Sequence, residues 1–127
     1  MAQRKDANVS EFRTKRIYED PSDDDGRRVL VDRLWPRGIS KERARIDLWD
    51  KEITPSNELR TWFHHDSAAD FAEFARRYEA ELSGEPQRRG LQELRELAAE
   101  HPVTLVTAAK DPSHSHVSVL LDQLRGD

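Results

Sequence analysis

Three separate segments of the chain each place a cationic side chain directly after a short apolar run. The cations are Arg33 and Arg37 after residues 29–31, Lys51 after residues 46–49, and Lys110 after residues 103–107. Arginine binds phosphate or carboxylate through two parallel hydrogen bonds, and lysine adds a compact point charge. The pattern predicts a binding site for an anionic ligand, provided that the fold brings the three segments together.

Two further residues of the first segment suit such a ligand. Trp35 offers a flat ring on which a base or another planar group can stack. Gly38 lacks a side chain, so the backbone can approach a ligand closely there. The alternative is structural, with Arg33 paired to Asp32 or Asp47 and Trp35 packed in the core. We favour binding because structural ion pairs have no reason to gather at one edge of a fold.

Asp32 and His64 are the candidates for acid–base chemistry, since imidazole changes its charge near neutral pH and a carboxylate can act as a base. The side chains that could in principle ligate a metal are His64, His65, Asp66, His114 and His116. Neighbouring histidines at a helix end point in different directions, and no His-Glu-x-x-His signature is present. We therefore expect no metal site. Hydrogen bonding of His64 to helix-terminal carbonyls explains that residue as well as catalysis does.

The order of apolar patterns along the chain predicts an α/β fold. We expect strands at residues 14–18, 29–31, 46–49 and 103–107, and helices that begin after Ser40, after Ser56, after Ser67 (with Asp70 as capping partner), near Pro86 and near His114. Two of the strands are almost continuously apolar, which is typical of a parallel sheet covered on both faces. The prediction is a single compact three-layer Rossmann-like domain with a small, mostly parallel sheet flanked by helices. Ligands bind such sheets beyond the carboxyl ends of the strands, where the cations described above are expected.

Length and composition fit one domain in the cytoplasm. The 127 residues suit a single domain, for which we expect a polar N-terminal arm at residues 1–13 and the α/β domain at residues 14–127. A net charge of -4 argues against a general DNA-coating protein, although nucleic acid remains possible as a partner. The absence of cysteine excludes thiolate catalysis and disulfides. No secretory signal and no apolar run of membrane-spanning length is visible, so no membrane partner is expected.

The stretch from Arg28 to Gly38 (RVLVDRLWPRG) resembles the signature of the YeaO-like proteins, a bacterial family known as domain of unknown function 488. Further blocks of similarity run from Asp47 to Ser56 and through the last apolar strand and its loop, and the resemblance covers residues 14–125. It implies a compact single-domain α/β fold with Rossmann-like layering. The positions that match family motifs are Asp32, Arg33, Trp35, Pro36, Arg37, Gly38, Trp49, Lys51, Pro55, Arg60, His64, Lys110 and His114. Ser115 departs from the asparagine that is common in the family.

The motif matches add Arg60 and His114 to the candidate binding residues. The predicted ligand-binding set is therefore Arg33, Trp35, Arg37, Gly38, Lys51, Arg60, Lys110 and His114, with Asp32 and His64 as candidate catalytic residues. Three functions fit this set. The chain is an enzyme acting on a phosphate-bearing small molecule or nucleic-acid end, a non-catalytic module that senses an anionic metabolite or nucleic acid, or an interaction protein whose polar motif is architectural. The sequence identifies no cofactor and no oligomeric state.

Overall fold

A four-stranded parallel sheet forms the centre of the fold in the computed structural model, which describes residues 12–66 and 70–126. The strands are β1 (Phe12–Arg16), β2 (Arg27–Leu30), β3 (Leu48–Trp49) and β4 (Val103–Thr107), and their order across the sheet is β1-β4-β2-β3. Every described strand pair is parallel. The predicted parallel α/β fold is therefore confirmed, and the carboxyl ends of all four strands meet at one edge.

In the described residues, five α-helices lie between the strands or after the last strand. They are α1 (Lys41–Ala44), α2 (Asn57–His65), α3 (Phe71–Leu82), α4 (Glu85–Glu100) and α5 (His116–Arg125). The N-caps predicted at Ser40 and Ser56 are confirmed, since each side chain accepts a hydrogen bond from the backbone N–H three residues on. Helix α4 carries Pro86 in its first turn and stops at His101, before Pro102.

The two faces of the sheet are covered unequally. Helices α2, α3, α4 and α5 pack on one face and form the larger core with Val29, Val31 and Leu105. On the other face Leu30 and Val106 pack against Ala44 of the single-turn helix α1 and against residues of the loops. Strands β2 and β4 are thus buried on both faces, as their apolar sequences predict. The second helical layer is reduced to one turn.

Several predicted boundaries are wrong, including that of β2, which spans Arg27–Leu30 and not residues 29–31. Strand β1 begins at Phe12 instead of Thr14, because the buried Phe12 side chain belongs to the larger core. Residues 12 and 13 of the predicted polar arm belong to this strand, and its residues 1–11 lie outside the described residues. Strand β3 is shorter than predicted and contains only Leu48 and Trp49. The N-cap of α3 is Asp70, which accepts a hydrogen bond from the N–H of Glu73, whereas the predicted cap at residue 67 lies outside the described residues.

A closed cluster of charges lies at the end of the sheet where β2 begins. Arg28 is almost fully buried, and one of its terminal nitrogens lies 2.6 Å from a carboxylate oxygen of Asp25. The other Asp25 oxygen lies 2.9 Å from the Lys15 ammonium group. Burial alone would raise the pKa of Asp25, but hydrogen bonds from the Ser22 amide, Lys15 and Arg28 outweigh it and lower that pKa. The single Asp25 carboxylate thus pairs with two cations and holds β1 to the start of β2, and the other terminal nitrogen of Arg28 is buried without a hydrogen-bond partner among the described residues.

Among the described residues, no helix has both the length and the apolar character needed to cross a membrane.

Candidate functional site

A cavity of about 690 Å³ opens beyond the carboxyl ends of β2 and β4. Its walls come from the segment after β2, the start and end of α2, the loop after β4 and the first turn of α5. The charged side chains that line it are Arg33, Arg37, Arg60, Lys110, Asp32 and Asp111, together with three histidines, His64, His114 and His116. The parallel sheet thus brings two of the three predicted cationic segments to one place.

Arg33 is the best-oriented cation of the cavity. Its side chain is half-buried, and its Nε donates a hydrogen bond of 2.9 Å to the carbonyl oxygen of Pro55. No carboxylate of the described residues pairs with its guanidinium. The pairing of Arg33 with Asp32 or Asp47 is not found among the described residues, since Asp32 bonds to Thr107 and Ala108 and Asp47 accepts a hydrogen bond from the Arg28 backbone N–H. Both terminal nitrogens of Arg33 therefore lack a protein partner among the described residues.

The segment that holds Arg33 is itself fixed from two sides. The buried Tyr78 hydroxyl on α3 donates a hydrogen bond to the carbonyl oxygen of Ile53, and burial raises the pKa of Tyr78. On the same helix, the Glu81 carboxylate accepts hydrogen bonds from the Ser56 amide at 2.9 Å and from its hydroxyl. The Pro55 carbonyl between these anchors is consequently a rigid support for the guanidinium.

The other cations are less constrained. A terminal nitrogen of Arg60 donates to the Asn57 side-chain oxygen at 3.0 Å within α2. Arg37 and Lys110 are exposed and form no ion pair with any described residue. Such side chains can move toward an anion at little cost, because no internal partner has to be given up.

Asp32 forms a clamp between β2 and β4. One carboxylate oxygen accepts a hydrogen bond of 2.7 Å from the Thr107 hydroxyl, and the other accepts one of 2.8 Å from the Ala108 backbone N–H. Burial raises the pKa of Asp32, but these bonds and the nearby His116 ring outweigh burial and lower that pKa. The carboxylate therefore stays ionised and engaged in positioning the loop that carries Lys110. Its predicted role as an acid or base stays a prediction.

His64 and His114 both line the cavity, as the sequence predicts, but they differ in their surroundings. His64 lies in the last turn of α2, exposed, with its ring centroid 6.1 Å from that of Phe63. The His114 ring stacks on Phe71 with a centroid distance of 4.5 Å and an interplanar angle of 26°. Their catalytic and binding roles stay predictions. Within the part of the chain that the structure describes, no group of three or more histidine or carboxylate side chains is arranged to hold a metal ion.

His116 was not among the predicted catalytic or ligand-binding residues, yet it lines the cavity. Its Nε2 is 2.8 Å from the carbonyl oxygen of Val31 and 3.3 Å from an Asp32 carboxylate oxygen. The sequence holds no signal that separates it from His114, because both flank Ser115 at the start of a helix. The turn that ends at Ser115, the N-cap of α5, decides which imidazole faces the sheet.

Trp35 serves the core and the cavity at once. Its indole N–H donates a 2.6 Å hydrogen bond to the Ile39 carbonyl, and its ring meets Trp49 edge-on with centroids 5.4 Å apart. The indole N–H of Trp49 in turn donates to the backbone carbonyl of Asp32 at 2.7 Å. One surface of Trp35 still lines the cavity, so both interpretations of this residue have a basis in the structure.

Two of the predicted binding residues do not reach the cavity. The Lys51 ammonium lies 4.1 Å from the centroid of the Trp49 ring, which attracts it through a cation–π interaction on the outer side of the sheet. Gly38 has a φ of 78° and serves a left-handed turn, with nothing close to the position of an added Cβ. Both lie outside the cavity lining, and we remove them from the candidate site.

The fold and the site define a parallel α/β domain with a basic, partly aromatic cavity at the carboxyl edge of its sheet. Residues 11–127 match the family described as the inactive DUF488-N3 subclade. The chain is 47% identical to the uncharacterised protein YeaO of Escherichia coli over 111 residues, which cover 87% of this chain and 94% of YeaO. It is also 47% identical to the uncharacterised protein Rv3073c of Mycobacterium tuberculosis over 114 residues, 90% of this chain and 93% of that protein.

The chain therefore belongs to the DUF488 family of YeaO-like proteins, as the resemblance of its first motif indicates. No solved structure matches it. The Rossmann-like character of the layering accordingly stays a prediction, whereas the compact parallel α/β domain is established by the sheet itself.

Proposed function

We propose that the chain is a non-catalytic module that binds a phosphate-bearing, nucleotide-like small molecule in the cavity beyond β2 and β4. The observation that carries the proposal is Arg33, a half-buried guanidinium that is held by the Pro55 carbonyl and has no carboxylate partner among the described residues. Desolvating a charge without pairing it is unfavourable. A bound anion would remove that cost, and the planar terminal nitrogens suit two oxygens of a phosphate group.

The dimensions and walls of the cavity support a small molecule. Its volume of about 690 Å³ lies in the range of ordinary small-ligand sites, which combine apolar walls with few polar groups. Trp35, Phe63 and Phe74 supply aromatic surface beside the cations. A duplex or long single strand would instead need an extended basic face, and the net charge of -4 does not favour one.

Two observations support binding without catalysis. Both oxygens of Asp32, the carboxylate nearest the cavity floor, are already engaged, and its lowered pKa makes it a weak base. The family that the chain matches is described as an inactive subclade. Enzymatic action on the same phosphate-bearing ligand is the alternative, and it requires His64 or Asp32 to transfer a proton.

The test is calorimetric titration of the protein with adenosine 5′-monophosphate and with inorganic phosphate. We expect adenosine 5′-monophosphate to bind, and we expect Arg33→Ala to weaken binding at least about tenfold by removing the fixed guanidinium. Arg88→Ala is the matched control, because Arg88 is an exposed arginine of α4 outside the cavity. Binding that Arg33→Ala leaves unchanged, or absence of binding to both probes, would overturn the proposal.

The non-catalytic part has its own test. Protein incubated with the nucleotide and with a chromogenic phosphate ester is expected to release no product above the buffer rate. Turnover that His64→Ala or Asp32→Asn abolishes would show that the site is catalytic, while the proposed ligand class would stand.

A further inference from the structure

The ring of His116 is held in one tautomer by its surroundings. Its Nε2 lies 2.8 Å from the carbonyl oxygen of Val31, and a carbonyl oxygen only accepts hydrogen bonds. The second group near Nε2, at 3.3 Å, is an Asp32 carboxylate oxygen, which also accepts. Nε2 therefore carries a proton and donates it toward both oxygens. The neutral form of the ring consequently has its lone pair on Nδ1.

Nδ1 has no hydrogen-bond partner among the described residues. The nearest hydroxyl-bearing ring is Tyr78, whose centroid lies 6.5 Å from that of His116. Its O–H donates to the Ile53 carbonyl and so does not serve the imidazole. The His116 side chain is only 17% exposed, yet it lines the cavity. The Nδ1 acceptor of a largely buried side chain thus has no protein partner among the described residues, at a position that lines the proposed binding site.

We propose that His116 determines ligand specificity by accepting, at Nδ1, a hydrogen bond from an N–H or O–H group on the body of the bound anion. The inference rests on the proposed function and adds the requirement that the ligand carries a hydrogen-bond donor. The ligand class is a phosphate ester whose body carries a hydroxyl or amino group, such as a sugar phosphate or a nucleotide. A phosphate ester with a wholly apolar body fits the cations but leaves the acceptor unpaired.

Discrimination of this kind follows from the cost of an unpaired buried acceptor. A ligand with a donor replaces the water that Nδ1 loses on binding, whereas a ligand without one leaves the nitrogen desolvated and unpaired. Sites built to hydrogen-bond a substrate group reject analogues that lack it far more strongly than apolar pockets reject an extra methylene. His116 therefore discriminates between ligands of equal charge by whether their non-phosphate part carries a hydrogen-bond donor.

The experiment compares three phosphate monoesters by calorimetry: adenosine 5′-monophosphate, ribose 5-phosphate and phenyl phosphate. Phenyl phosphate has a flat body without a donor, so we expect the protein to prefer the better of the two donor-bearing probes by at least about tenfold. A preference for ribose 5-phosphate assigns the donor to a sugar hydroxyl. A preference for adenosine 5′-monophosphate alone assigns it to the nucleoside. Both results support the inference.

The diagnostic variant is His116→Gln, whose side-chain amide can still donate to the Val31 carbonyl but lacks the ring nitrogen Nδ1. We expect its preference for donor-bearing probes over phenyl phosphate to shrink to within about threefold. His101→Gln, at a histidine outside the cavity, is the matched control and is expected to retain the full preference. A His116→Gln protein that keeps the preference, or a parent protein that favours phenyl phosphate, would overturn the inference.

Failure of the inference is distinguishable from failure of the proposed function. If all three probes bind in an Arg33-dependent manner but without preference, only the role of His116 is overturned. If none binds, both proposals fall. A ¹⁵N spectrum of the unmodified protein gives an independent readout: when the ring is neutral, its proton is expected on Nε2, and the Nδ1 signal is expected to move when adenosine 5′-monophosphate is added. A neutral ring protonated at Nδ1 would contradict the assignment.

Discussion

Arg28 and Arg33 lie close together in the sequence, but the fold treats their charges in opposite ways. Arg28 sits inside β2 and is paired at 2.6 Å with Asp25, which is also 2.9 Å from Lys15. Arg33 lies beyond the end of the strand, and its one hydrogen-bond partner within the described part of the chain is a backbone carbonyl. At one end of the sheet the cations thus pair with a carboxylate of the protein itself. The other end presents its own cations to a cavity, where we place the ligand.

Asp25→Asn is expected to have the largest effect, because it removes the anion that both Arg28 and Lys15 require. Arg28 is almost fully buried, so the free energy of unfolding should fall by about 3–5 kcal/mol. Urea denaturation measures it. Asp24→Asn, at the exposed neighbour, is the control and should change stability by less than about 0.5 kcal/mol. Equal effects of the two substitutions would mean that the closed cluster contributes little.

Asp32→Asn tests the carboxylate that joins β2 to β4 at the cavity end of the sheet. Loss of the charge weakens the bonds from Thr107 and Ala108, and we expect about 1.5–3 kcal/mol of destabilisation near pH 7. The folded-state pKa of Asp32 is lowered from 3.8, so its contribution is present above that value and is lost as the pH falls through the folded pKa. Urea unfolding at about pH 7 and about pH 3 should show the difference between variant and parent shrinking in acid. If the difference in stability between variant and parent were the same at both pH values, the ionised carboxylate could not be its cause.

Asp50→Asn tests the opposite case, a carboxyl group that forms no ion pair with a cation in residues 12–66 and 70–126. Burial, with Glu93 and Glu52 nearby, raises the pKa of Asp50 to about 6. The folded protein therefore holds a proton there between 3.8 and about 6 that the unfolded chain has released, so stability falls as the pH rises through that window. The variant should lack this slope and be more stable near pH 7 by about 1–2 kcal/mol. A stability profile identical to that of the parent would contradict the burial of an uncompensated charge.

Arg33→Ala is expected to have the smallest effect on stability, although we expect it to have a large effect on binding. It removes one side-chain hydrogen bond to the Pro55 carbonyl, so the free energy of unfolding should fall by no more than about 1 kcal/mol. The urea midpoint measures this under the conditions used for Asp25→Asn. A loss as large as that of Asp25→Asn would make Arg33 architectural and remove the contrast between the two ends.

Most of the fold follows from local patterns in the sequence. The strand Val103–Thr107 and the N-caps at Ser40 and Ser56 are confirmed because β-branched runs and capping side chains act through neighbouring residues. The start of β1 was misplaced because burial of Phe12 depends on α5 and β4, which are distant in the sequence. Local rules carry no information about such contacts.

The candidate site was only partly predictable for a related reason. A parallel sheet places all strand ends at one edge, which correctly groups Arg33, Arg37 and Lys110 around one cavity. Lys51 follows the edge strand β3, where the Trp49 ring captures its ammonium group. His116 and His114 differ in the direction of their side chains. Their positions in the sequence, two residues apart at the start of a helix, do not reveal that direction. The edge was predictable from topology, but the orientation of its side chains was not.

The central position of β4 has a consequence for how the cavity comes into existence during folding. This strand is last in the sequence but lies between β1 and β2, and the Asp32 carboxylate bonds to residues at its end that are 75 and 76 positions away. Contacts of such sequence separation form late, since a long loop must close first. The floor, the Lys110 loop and the first turn of α5 therefore assemble in the same event that completes the sheet. Ligand binding by this chain would therefore require that the last third of the sequence has folded onto the rest. Shorter N-terminal fragments would contain the signature motif but would lack the binding site.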